Sequence, residues 1–207
     1  MDDLMKFLND YGYFIFIVLG MVIIYGALLL RAKGFQNLAK ELNLSYVEVG
    51  TLLSKTFRLS GTFNHREVSI YTESKTKYLK MKTKSSNNKT MFTVVRINHP
   101  SPYNFSFQII KESFLNSIIS LADGKDIQIG DPEIDKNFLI RSNHENAIKE
   151  LLQKSGFKTA LLEIFKFSDN MILDENCIKW EKKGIHYSVE KTKEILQKMD
   201  EFQTKIS

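Results

Sequence analysis

The chain has 207 residues, 43% of them apolar, and carries 29 Lys and Arg against 24 Asp and Glu, a net charge of +5. With three prolines and no Ser/Gly-rich tract, that composition excludes a disordered chain or a long flexible linker. Cys177 is the only cysteine, which excludes an intramolecular disulfide and agrees with a reducing compartment.

The first element dominates the reading. Residues 13–30 run from Tyr13 to Leu30 without one charged side chain. As a helix they span about 27 Å, close to the roughly 30 Å of a bilayer's hydrocarbon core. Globular helices of this length carry a polar face, and this one has none. Asp2, Asp3 and Asp10 precede the run with a single Lys6, whereas Arg31, Lys33 and Lys40 follow it. A cleaved signal peptide begins basic and has a shorter apolar stretch with a small-residue cleavage site, so the run reads as a permanent span. Lys/Arg excess marks the cytoplasmic flank, which predicts a cell-membrane protein with its N-terminus outside. The expected organisation is a short non-cytoplasmic tail over 1–10, a transmembrane helix over 11–32 and a cytoplasmic α+β domain over 33–207. Residues 1–30 hold one of the basic and three of the acidic side chains, leaving 28 against 21 beyond them. A basic domain on that side suits anionic lipid head groups.

Beyond the span, Phe35, Leu38, Ala39 and Leu42 recur at helical spacing and predict a short helix leaving the membrane. Ser45–Val49 reads as a strand. Phe57, Leu59, Gly61 and Phe63 alternate with polar neighbours, Asn64-His65-Arg66 turns the chain, and Val68, Ile70 and Thr72 alternate again, which is a hairpin signal. Residues 76–84, then Met91–Ile97, and then the stretch around Phe105, Phe107 and Ile109 continue an antiparallel meander. Residues 112–122 read as a short helix, Ile127 and Ile129 as a brief strand, and Phe138–Arg141 as extended. A helix over 143–154, capped by Asn143, carries the stripe Ala147, Ile148, Leu151 and Leu152. Leu161–Phe167, Met171–Leu173 and Cys177–Trp180 read as three further extended pieces, with a helix as the alternative for the first. Residues 188–206 form a final amphipathic helix through Val189, Ile195, Leu196, Met199 and Phe202. A meander with a C-terminal helix is similar to pleckstrin-homology-like barrels, from which the middle helix departs.

The most distinctive charge feature is an interval without acids, from Glu73 to Glu112. Lys75, Lys77, Lys80, Lys82, Lys84, Lys89 and Arg96 fall within it and form the candidate surface for anionic lipid or a protein partner, each worth about 1 kcal/mol near a charged membrane. The plainer explanation is that these lysines protect an edge strand from pairing with another chain. No aromatic interleaving suits base stacking, so nucleic acid is not an expected partner.

Asp131, Glu133 and Asp135 alternate, but the Gly and Glu that complete a calcium loop are replaced by Lys136 and Ser142. Asp131 and Asp135 are therefore assigned to a structural turn and not to a metal. His65, His99, His144 and His186 are scattered, with no zinc spacing. Cys177 lies in an apolar alternation, as a buried thiol does. No P-loop, dinucleotide fingerprint or nucleophile elbow is present, so no cofactor is expected and no catalytic residue is assigned.

The stretch Ile129-Gly130-Asp131-Pro132-Glu133-Ile134-Asp135-Lys136-Asn137-Phe138-Leu139-Ile140-Arg141-Ser142 resembles a Gly-Asp-Pro-Glu-Phe-Asp-x-x-Phe-x-Val pattern of prokaryotic membrane-anchored proteins, with Ile134 in place of the Phe. The resemblance covers about fourteen residues and implies a membrane-anchored setting but no activity. Asp135 would brace the turn, with Ile134 and Phe138 beneath it. The sequence thus predicts an anchored α+β domain, its antiparallel sheet packed by two amphipathic helices. Its expected role is a non-catalytic binding or scaffold module, the alternative being a membrane-bound enzyme whose site assembles only in three dimensions.

Overall fold

In the computed structural model, residues 2–51, 55–76, 89–98, 103–117 and 126–206 are described. The chain opens with one unbroken helix, α1 (Asp2–Leu42). The apolar span and the short helix expected after it are a single element, because nothing between Leu30 and Phe35 breaks a helix. It ends at Asn43, whose φ of 53° is a left-handed conformation that Asn tolerates. The Leu44 N–H then donates to the Ala39 carbonyl at 2.8 Å, closing a Schellman-type cap.

Eight strands follow: β1 (Ser45–Val49), β2 (Thr56–Phe63), β3 (Arg66–Thr76), β4 (Lys89–Asn98), β5 (Phe107–Lys111), β6 (Phe138–Ser142), β7 (Met171–Asp174) and β8 (Cys177–Lys183). They form one antiparallel sheet in the order β1-β2-β3-β4-β8-β7-β5-β6. The first four form an antiparallel meander, and all but the first residue of the strand expected over 76–84 lies outside the described residues. Strands β8 and β7 then insert between β4 and β5, so the sheet is open, with β1 and β6 as its edges. This departs from the barrel resemblance. The β2–β3 turn places Asn64 and His65 at φ of 48° and 65°, as a two-residue hairpin turn requires. Asp200 accepts from Asn64 Nδ2 at 2.9 Å and from Arg66 Nε at 2.8 Å, tying this turn to the last helix.

The helices of the domain are α2 (Pro132–Asn137), α3 (Glu145–Gln153), α4 (Ser155–Phe167) and α5 (Val189–Ile206), with a 3-10 turn over Glu112–Ser117. Two corrections to the sequence reading concern this layer. Residues 161–167 are not extended: Phe157, Ala160, Leu161, Ile164 and Phe165 are buried at helical spacing, and α4 adds a third packing helix. Its run of β-formers was outweighed by the three- and four-residue recurrence. His144, not Asn143, caps α3, its ring accepting from the Ala147 N–H at 3.4 Å; Asn143 instead accepts from the Ser106 N–H at 2.9 Å. Ile127 and Ile129 form no strand, although Ile127 donates to the Ile140 carbonyl at 2.8 Å.

One face of the sheet is the core. Phe57, Leu59, Val68, Ile70, Val95, Ile97, Trp180, Ile109 and Ile140 point into it, against α3, α4, α5 and the end of α1. Phe35, Leu38, Ala39 and Leu42 of α1 are all buried there, and Phe35 stacks on Phe57 with ring centroids 4.9 Å apart. At about 1.5–3 kcal/mol for each large apolar side chain, the end of α1 supplies a share comparable to the 5–15 kcal/mol net stability of a domain. The opposite face carries Arg58, Glu73, Lys75, Arg96, Asp174 and Lys179, as strand alternation and the pairing register require.

Candidate functional site

The long helix changes character along its length. It is the one described helix long and apolar enough to cross a membrane, with a mean hydropathy of 2.6 in its most apolar window and none of that window buried. Phe14, Phe16, Met21, Val22 and Ile23 are exposed, whereas Phe35 and Leu38 are fully enclosed. Between them lies Gly34. The Tyr187 ring crosses it so closely that an added Cβ would overlap Cδ2 and Cγ of the ring. That ring also packs 5.9 Å from Phe35. Helix, sheet and the approach to α5 therefore meet at Gly34 and Phe35, with no linker between apolar span and core.

A polar network surrounds this root. Tyr46 Oη donates to Glu48 Oε1 at 2.7 Å, and Lys55 Nζ donates to Glu48 Oε2 at 2.7 Å. Lys55 and Tyr46 as donors hold the Glu48 carboxyl below its usual range. Burial and the Glu48 bond raise the Tyr46 phenol, while Gln36 of α1 hydrogen-bonds it in the opposite sense. Beside the network, a groove of 610 Å³ runs from Tyr25 and Leu29 to Lys33, Gln36 and Lys55. Strand β1 thus runs back along α1 toward its apolar half.

The expected basic surface is only partly visible. Lys77, Lys80, Lys82 and Lys84 lie outside the described residues. Lys75 and Lys89 flank that interval, with Thr76 paired to Lys89 at the ends of β3 and β4. Both strands are interior along most of their length, but their ends at Lys75 and Lys89 run beyond the pairing with β2 and β8, so protection of an exposed edge still accounts for basic residues there. The Lys75 ammonium is committed within the protein: Glu181 lies at 2.6 Å, Glu73 at 3.0 Å, and the Phe92 ring centroid at 5.4 Å. Burial opposes its charge, but the two carboxylates outweigh burial and raise its pKa. Arg96 lies seven residues beyond Lys89, roughly 20 Å along the strand, so the candidates do not converge on one patch.

Arg96 instead lines a groove of 510 Å³ on the open face with Arg141, Gln108, Asp174 and Glu175. Its buried Nε has no hydrogen-bond partner among the described residues. Asp174 is half-buried; burial raises its pKa, but Lys179 at 2.8 Å outweighs burial and leaves the carboxyl low. Cys177 donates to Asp174 at 3.2 Å, and burial first, then that carboxylate, push the thiol up to about 12. Such a thiol is protonated and unreactive at neutral pH. Sequence reasoning missed Arg141, Asp174 and Lys179, because β7 and β8 insert out of chain order.

The Gly130–Asp135 turn is built as a cap. Asp131 Oδ1 accepts from the Glu133 and Ile134 N–H groups at 3.0 and 3.4 Å, and Asp131 Oδ2 from Lys158 at 2.5 Å. Asp135 accepts from the Ile129 and Gly130 N–H groups at 2.8 and 2.9 Å. Ile134 and Phe138 are buried beneath. The Lys158 bond above all, with the two backbone donors, holds Asp131 below its ordinary value. Both carboxylates thus serve the turn and α2. Among the described residues, no three His, Cys, Asp or Glu side chains gather as a metal site.

No family model matches the sequence. No curated protein matches it. Among solved structures, the fold is similar to the crystal structure of the mycobacterial trehalose monomycolate transport factor A, TtfA. The match has a TM-score of 0.52 at 10% sequence identity and covers 85% of this chain and 94% of that chain. At this identity the likeness is one of fold alone.

Proposed function

We propose that the chain is a single-pass membrane protein whose cytoplasmic domain is a non-catalytic binding module held against the anionic inner leaflet. The observation that carries this reading is the continuity of α1, whose exposed apolar half becomes a core element within a few residues. A domain joined in this way has a fixed attitude to the bilayer, as a recognition surface needs and a soluble enzyme does not. The basic excess after the span supports the cytoplasmic orientation. Strands β3 and β4 end at Thr76 and Lys89 on the side of the sheet where β1 meets the root of α1, and the sequence between them holds Lys77, Lys80, Lys82 and Lys84. That arrangement supports contact with anionic head groups.

The carboxylates with resolved shifts, Glu48, Asp131, Asp174 and Glu190, are all held low. They are stable anions, whereas a general acid needs a raised pKa. The fold's likeness to a protein described as a transport factor supports a protein partner as a second reading.

Sealed right-side-out vesicles carrying the full chain test the proposal. The chain should resist carbonate extraction, retain residues 1–30 by intact mass, and keep residues 35–207 safe from external protease. A soluble chain cleaved near the end of the apolar run would mark a signal sequence and overturn the anchor. Digestion of the domain from outside would overturn the orientation.

A further inference from the structure

We infer that the groove at the root of α1 binds one anionic phospholipid, its phosphate at Lys33 and an acyl chain along Tyr25–Leu29. The inference rests on the membrane reading above and gives that reading a specific site. The groove is 610 Å³, within the roughly 300–1,000 Å³ of small-molecule sites. From Tyr25 to Gln36 the helix rises about 16 Å, enough for a head group and the first part of a chain.

Its chemistry divides as a lipid does. Tyr25, Leu28 and Leu29 form the end nearer the exposed apolar half of α1, and Gly26 leaves open space beside the helix where an added Cβ would meet nothing within 4 Å. Lys33, Gln36 and Lys55 form the other end, with Glu48. Glu48 is already occupied by Lys55 and by the Tyr46 hydroxyl, both at 2.7 Å. Lys33 is paired with no carboxylate among the described residues, so one positive charge is left at the polar end. Gln36 bonds the Tyr46 hydroxyl, Tyr46 donates to Glu48, and Glu48 accepts from Lys55 beside the groove. The polar end is therefore organised before a ligand arrives, which lowers the ordering cost of binding. The occupant follows from continuity: the apolar end opens along the helix segment that the bilayer surrounds, so the molecules with direct access are its lipids. The leftover positive charge selects an anionic head group over a zwitterionic one.

Native mass spectrometry of the full chain, released from nanodiscs of equal phosphatidylglycerol and phosphatidylcholine, tests this. Wild type should retain one phosphatidylglycerol per chain in preference to phosphatidylcholine. Lys33→Glu should reduce that preference by about fivefold or more, the weight of one interfacial basic residue. Leu29→Trp, on an exposed position that fills the groove, should reduce retention of both lipids. Lys40→Glu, an exposed change on α1 outside the groove, should alter neither. Thermal unfolding of each variant should match wild type, since Leu29, Lys33 and Lys40 are all exposed. Equal retention of the two lipids by wild type, or a preference untouched by both Lys33→Glu and Leu29→Trp, would overturn the site. An intact, carbonate-resistant chain giving either of those results would leave the anchor standing and remove only the groove; a chain lacking residues 1–30 would remove the anchor itself.

Discussion

The two halves of α1 differ in both apolar content and partners. From Tyr13 to Leu30 apolar side chains occupy every face of the helix and remain exposed; from Phe35 to Leu42 they recur on one face and are buried against β1, β2 and α5. The first half has no partner in the protein and the second has no alternative to it. An all-round apolar surface asks for a solvent, whereas a striped one asks for a specific neighbour. Gly34 marks the change, where the Tyr187 ring first touches the helix.

Deletions at two points along the helix should separate the halves most sharply. A chain starting at residue 31 keeps Phe35, Leu38 and Leu42 and should unfold cooperatively as a soluble domain. A chain starting at residue 43 loses all three and should show no cooperative transition, because the lost burial is comparable to the whole net stability. Equal stability of the two would show that the second half is not part of the core.

Single substitutions read the same difference at smaller scale. Phe35→Ala should destabilise the domain by about 3–5 kcal/mol in denaturant unfolding, as a large-to-small core change does. Phe16→Ala, on the exposed half, should leave domain stability within about 0.5 kcal/mol of wild type. At the boundary, Gly34→Ala sets a gain of about 1 kcal/mol in helix propensity against a cost of about 1–3 kcal/mol for the displaced Tyr187 ring. The net effect should be a loss. In a Tyr187→Ala background the same change should stabilise instead. A gain in both backgrounds would show that the ring does not hold the helix.

These contrasts also show what was legible in the sequence. The apolar run, the first hairpin and the stripes of α3 and α5 follow from local periodicity, and each was read from a few neighbouring residues. The merger of span and core into one helix was missed because Arg31, Lys33 and Gly34 punctuate the pattern without breaking a helix. Helix α4 was read first as extended, with a helix as the alternative, because Leu161, Leu162, Ile164 and Phe165 are also good strand residues. The grooves were not legible at all. One needs Lys33 beside Lys55, and the other needs Arg96 beside Asp174; neither pairing leaves a trace in local spacing. For the basic interval, composition singled out the residues, but the pairing of β3, β4 and β8 was needed to show that Lys75 is tied to Glu181.

A further effect lies far from α1 and serves as its reference. Asp174 is held below its ordinary value in the folded protein, so its pairing with Lys179 stabilises above about pH 4, the unfolded value, and that stability fades as the pH falls through the lower folded value. Asp174→Asn should cost about 1.5 kcal/mol at pH 7, at the low end for a hydrogen bond to a charged group, and progressively less below pH 4. A cost unchanged by acid would show that the pair does not carry the effect. The same cost should appear with or without residues 1–30, because the pair touches neither half of the helix.

Hydrogen exchange of the full chain in nanodiscs tests the continuity of α1 most directly. Backbone amides in an unbroken helix are protected throughout, whereas a linker exchanges quickly. Peptides covering residues 25–36 should be as protected as those over 13–24 and 35–42, with no fast-exchanging interval between membrane and domain. Rapid exchange confined to residues 29–34 would contradict the account, since it would make the domain a freely swinging passenger on its anchor.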